Sequence, residues 1–143
     1  YFTADEDLTV GSLSVSITDT AAGATPTLCK LAVYSVGGGG GLTLVAETAN
    51  DPSMFNEAWS TVVRPVAAAG VVSRGERLAA AVLVVSGSAL PKLVGRWVNY
   101  QAGNDVEPRL VSAVSGLTDF PSAVDGVDVE GESRGFFVRV IAA

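Results

Sequence analysis

Apolar and polar residues alternate with a period of two along most of this chain, the spacing of strands with one buried face. From Leu8 to Thr18 the period changes phase: Leu8 and Val10 set one parity, and Leu13, Val15 and Ile17 the other. A flip needs one extra residue, and Gly11–Ser12 is where a β-bulge fits. Leu28 to Val36 alternates again. Cys29, Leu31 and Val33 share one face, and Lys30, Ala32 and Tyr34 the other. Lys30 marks its face as outward, so Cys29 is expected in the core.

Gly37 to Gly41 reads as a flexible hairpin tip, because each glycine has more backbone entropy to lose on ordering. Leu42 to Thr48 is the returning strand. Asn50-Asp51-Pro52 reads as a helix start, with Asp51 capping and Pro52 at the first helical position. The helix is expected over Pro52 to Ala58, about two turns. Trp59 to Val66 follows as a strand with Trp59, Thr61 and Val63 on one face, and Pro65 argues for an edge or a strand end.

Ser73 to Glu76 is a turn. Arg77 to Ser86 is apolar on both parities and ends in β-branched residues, which predicts a strand buried on both faces. An apolar outer face there implies a covering loop or a neighbouring subunit. Leu93 to Val98 is a short strand, Tyr100 to Pro108 a loop, and Arg109 to Ser115 a weakly alternating stretch. Gly116 to Gly131 is loop-like, and Gly135 to Ile141 is a final strand. About eight short strands with turn signals between them predict an all-β fold, an antiparallel jelly-roll-like β-sandwich with one short helix.

Composition narrows this further. The 143 residues suit one domain, residues 1–143, with 48% apolar and 17% charged side chains. The net charge of −6 and nine scattered cations leave no footprint for a phosphate backbone, so nucleic acid is not an expected partner. The longest apolar run, Leu78 to Val85, is far short of the ~20 residues a membrane helix needs. The chain starts at Tyr1, with no basic segment leading into an apolar one, and reads as processed or as a piece of a longer protein.

TPTLCKLAVYSV, a glycine tip and LTLVAETANDPSMF, followed by GERLAAAVLVVSGSALPKLVG, resemble a β-sandwich module of minor tail proteins from actinobacterial tailed phages. These stretches run from Thr25 to Gly95, about half the chain. They are packing and turn patterns rather than catalytic signatures. The resemblance implies a non-enzymatic virion structural protein on the tail or capsid surface, displaying loops to a host envelope glycan or to other virion proteins. The alternative it leaves open is a capsid decoration protein that stabilises through subunit contacts. A secreted bacterial carbohydrate-binding domain would share the fold.

The candidate chemistry agrees with a non-enzyme. There is no histidine, and Ser nucleophiles therefore lack their usual base. No cofactor is implied. Asp125, Asp128, Glu130 and Glu132 do not follow EF-hand spacing and read as a solvated acidic loop, so no metal site is assigned. One cysteine, Cys29, reads as a buried small hydrophobe. Trp59, Trp97, Tyr34 and Tyr100 are candidates for stacking on a sugar ring, with both tryptophans expected first in the core or a subunit interface. The preferred contact site for a glycan or partner is Trp97 and Tyr100 with Gln101 and Asn104, whose amides hydrogen-bond hydroxyls. Leu78, Ala80, Val82 and Val84 are the expected contacts of a homo-oligomer, for which virion architecture suggests a trimer.

Overall fold

A computed structural model describes residues 1–22, 26–87, 89–97, 112–131 and 134–143. Two antiparallel sheets pack face to face as an all-β sandwich. The larger sheet has the order β1 (Phe2–Thr3), β6 (Arg77–Val85), β3 (Leu28–Val36), β4 (Leu42–Glu47) and β9 (Ala123–Val124). The smaller has β12 (Val138–Ala142), β2 (Leu8–Ser16) and β5 (Thr61–Val72). Two further pairs join β7 (Gly95–Trp97) to β11 (Arg134–Phe136), and β8 (Ser112–Ala113) to β10 (Glu130–Gly131).

The bulge at Gly11 is present. Against β12, Val10 pairs with Ala142 and Ser12 with Ile141, leaving Gly11 as the extra residue, whereas against β5 the excess lies on the other strand, with Val10 on Gly70 and Ser12 on Pro65. The phase change puts Val10 inward before the bulge and Leu13, Val15 and Ile17 inward after it, all fully or nearly fully buried. Glycine is needed there, because a Cβ on Gly11 would sit 2.6 Å from the Ala143 Cα.

The inter-sheet core joins those residues to Cys29, Leu31 and Val33 of β3, Val62 and Val72 of β5, and Leu78 of β6. The larger sheet is also covered on its other face. Ala32, Tyr34 and Ala79 pack there with Val129, and Phe120 and Val124 lie against them. Arg77 to Val85 therefore is a strand with apolar neighbours on both sides, and the covering segment comes from this chain.

The four residues expected to contact another subunit are placed differently. Leu78 is fully buried in the inter-sheet core, and Val82 and Val84 pack against the same cluster. That parity of β6, which includes Ala80, points into the sandwich. The opposite parity carries Ala79 and Ala81 to the outer face.

The helix expected over 52–58 does not form. The Met54 and Asn56 amides donate to the Asp51 and Ser53 carbonyls, giving two consecutive turns. An α-helix over 52–58 would send the Asn56 amide to the Pro52 carbonyl, but that amide goes to Ser53, and the Phe55 carbonyl is tied to the Ala22 amide at 2.8 Å. Burial of Met54 and Phe55 between the sheets outweighs the local capping signal. The one helical turn among the described residues is a 3₁₀ turn at Gly126–Asp128.

The glycine tip is also more ordered than its composition suggests. Gly37 donates to the Gly41 carbonyl and Gly40 to the Gly37 carbonyl, with Gly40 at φ 78°. The 3₁₀ turn closes on it so tightly that a Cβ on Gly126 would strike the Gly39 carbonyl.

Candidate contact surface

Beyond β4 the chain keeps hold of β3 through side chains. The Thr48 hydroxyl accepts from the Leu31 amide at 3.1 Å, and the Asn50 carbonyl oxygen accepts from the Cys29 amide at 2.9 Å. The Thr48 and Asp51 amides return bonds to the Leu31 and Cys29 carbonyls. Thr48 is thus satisfied although fully buried. This extended pairing fixes where the 51–60 loop begins.

Asp51 anchors that loop. One carboxylate oxygen accepts from the Ser53 amide at 3.0 Å and hydroxyl at 2.6 Å, and the other from Arg64 Nε at 2.7 Å. The Ser53 hydroxyl foremost, with the Arg64 guanidinium, holds the carboxyl below its ordinary value against opposing burial. Ser60 donates to the Glu57 carbonyl at 2.7 Å and closes the loop.

Trp59 stands at the end of this loop, 79% exposed and at φ 57°. Of the two places expected for Trp59, the core or an interface, this exposure overturns the core. A left-handed backbone is unusual for a bulky side chain and costs about 1–2 kcal/mol. It is held by the Trp59 amide donating to the Thr18 carbonyl at 2.7 Å, next to the Ile17 amide donating to Ser60. On the far side of the same segment, the Thr18 amide donates to the Lys92 carbonyl, and the Lys92 amide to Thr20. Three segments carrying Trp59, Asp19 and Lys92 are thereby tied together. Asp19 is held below its ordinary value, first by the Thr18 hydroxyl and then by Lys92, whose Nζ is 3.6 Å away.

Of the residues preferred from sequence, Trp97 closes β7, paired with Arg134. Its side chain, and Tyr100, Gln101 and Asn104, lie outside the described residues. Tyr34, another stacking candidate, is 3% exposed, and its hydroxyl donates to the Pro121 carbonyl at 2.9 Å. Burial foremost, then Glu47 and Asp119, pushes that hydroxyl up to about 12. Tyr34 is a clamp on the covering segment.

Lys30 is the second clamp, bonding Asp119 at 2.7 Å and Glu47 at 3.2 Å. Burial alone would lower its ammonium, but the two carboxylates outweigh burial and raise it. Beside these clamps an apolar hollow of about 510 Å³ opens on the outer face of the larger sheet. Ala81 and Leu83 form its floor, and Val114, Phe120 and Phe136 stand around it. Cys29 is fully buried, and burial pushes its thiol up to about 11. Among the described residues, no group of three or more acidic or cysteine side chains converges as metal ligands.

No family model matches the chain, and neither does any curated protein or solved structure.

Proposed function

We propose that the chain is a non-enzymatic structural protein of a tailed-phage virion, of minor-tail type, which displays loops for contact with a host envelope glycan or another virion protein. The display part of this reading rests on Trp59, an exposed aromatic fixed in a costly backbone conformation by a hydrogen-bonded loop. Strain of that kind persists where the surroundings over-determine it, and such sites are enriched in function. The virion part rests on the resemblance of residues 25–95 to phage minor tail modules.

Mass spectrometry of gradient-purified particles tests the assignment. The chain should be recovered at a constant ratio to the major tail and capsid proteins. Recovery from the lysate alone, with none in the particles, rejects it.

A second reading, capsid decoration through subunit contacts, is favoured by the apolar hollow over Ala81 and Leu83. It requires the chain to bury that face on capsid or on its own copies, as a trimer or another closed oligomer. A monomer by light scattering at micromolar concentration removes the self-association arm.

A further inference from the structure

A free sheet edge offers a row of unpaired amides and carbonyls to any strand that arrives, and folded proteins blunt it with short strands, bulges, prolines or charges. The outermost strands of both sheets are blunted in these ways. β1 and β9, at the ends of the larger sheet, have two residues each. In the smaller sheet, β5 carries Pro65, which has no amide, and the Arg64 guanidinium donates to the Val63 carbonyl at 3.0 Å. β12 carries an exposed Arg139 and a register shift between Ile141 and Ala142.

β1 is too short to cover the strand behind it. It pairs with Arg77 and Leu78 of β6 and stops, while β6 runs on to Val85. The ladder fixes where the main chain points beyond that. The Ala4 amide donates to the Glu76 carbonyl, so the even-numbered residues of β6 turn their main chain to the β1 side. On β3, the Cys29 and Leu31 amides go to Asn50 and Thr48 on the β4 side, which leaves the even residues of β3 for the odd residues of β6. Ala80, Val82 and Val84 therefore present three amides and three carbonyls at the edge, with no partner among the described residues. All three residues are half-buried rather than covered.

This edge has none of the blunting devices. The β3–β6 register runs through eight pairs without a shift, and Leu78 to Val85 contains no proline, glycine or charge. Directly opposed residues of a sheet share a face. A strand added here would meet Ala80, Val82 and Val84 on the inner face and Ala81, Leu83 and Val85 on the outer one, so it must be apolar on both. β6 of a second copy is such a strand. Its charge also suits self-pairing: in a chain of net charge −6, Arg77 is the one charged residue of β6, and no carboxylates come face to face. Pairing closes at two copies, because the far edge of the larger sheet, β9, is too short to add a third.

We infer that β6 joins edge to edge with β6 of a second copy, antiparallel about a twofold axis, through the main chain of Ala80, Val82 and Val84. The side chains of these residues point into the sandwich, and their backbone makes the contact. This goes beyond both functional readings, since such a dimer fits display and decoration alike.

Sedimentation equilibrium of the whole chain over the micromolar range should find a monomer–dimer equilibrium. Amide exchange should slow at Ala80, Val82 and Val84 as the dimer fills. Val82→Pro removes an edge amide that β3 does not use, so it should weaken the dimer by about tenfold or more and leave a folded monomer. If that variant fails to fold, exchange on the unaltered chain decides alone. Protection of the three amides that is independent of concentration means that this chain fills its own edge, and overturns the inference. A monomer throughout the range, a trimer, or a dimer that survives in folded Val82→Pro overturns it too. If Leu83→Ser dissolves that surviving dimer, self-association belongs to the hollow; the decoration reading then stands and this inference alone falls.

Discussion

Replacing Trp59 separates the cost of its backbone from the contacts of its side chain. The indole is 79% exposed, so about a fifth of its surface is buried, roughly 50 Å². At about 25 cal/mol per Å², Trp59→Ala forfeits about 1 kcal/mol and keeps the left-handed backbone strain. Trp59→Gly loses the same contacts but removes that strain, worth about 1–2 kcal/mol at φ 57°. Glycine's extra freedom in the unfolded chain takes back about 0.5–1 kcal/mol. The glycine variant should therefore be more stable than the alanine variant by about 0.5–1 kcal/mol, the reverse of the order at an ordinary strand position. Urea unfolding at constant m reads this as a higher midpoint. Ala68 in β5, which has no positive φ, supplies the control: Ala68→Gly should destabilise. An alanine variant at 59 as stable as, or more stable than, the glycine variant would refute the reasoning, because the loop would not be imposing a left-handed backbone.

Other consequences are open to direct measurement. Phe55→Ala empties a fully buried site between the sheets and should cost about 3–5 kcal/mol in urea unfolding, a large part of a typical domain's stability. Gly70→Ala places a Cβ against the Val45 carbonyl and should lower the melting temperature, whereas Gly38→Ala, with open space around it, should not. The Cys29 thiol, raised to about 11, should label with a thiol reagent at pH 8 at the rate of unfolding rather than of a free thiol. Asp51 is lowered from its ordinary 3.8 in the folded state, so its contribution is complete above that value and is lost as pH falls through the lower folded one. Asp51→Asn should flatten the acid limb of a stability–pH profile below about pH 4 and leave its alkaline limb unchanged.

The strands that carry one buried face were legible because alternation and burial coincide in them. Leu13, Val15 and Ile17, and Cys29, Leu31 and Val33, are in the core as their parity requires, and the phase change located the bulge at Gly11. Strand β6 was legible as apolar on both faces, of which only Leu78 and Ala79 are fully covered, but not which parity faced which side, because those two are both apolar. Only the register against β3 resolves that. The helix signal at Asp51-Pro52 was local and correct about Asp51, whose carboxylate does accept from the Ser53 amide. It failed because the inter-sheet core claims Met54 and Phe55.

The contact surface was half legible. Trp59, Thr61 and Val63 read as one face, and they do face outward. What alternation could not show is that Trp59 is exposed, since a tryptophan in an apolar pattern predicts burial. Nor could it bring Phe137 beside Ser16, a neighbour relation set by pairing across more than a hundred residues.

The central claim is that this chain displays a contact surface on a virion. Gold-labelled antibody raised against the chain, imaged on purified particles by electron microscopy, tests it most directly. The account predicts label concentrated on the tail; label spread over the capsid would favour the decoration reading, and intact particles that carry none would contradict the claim.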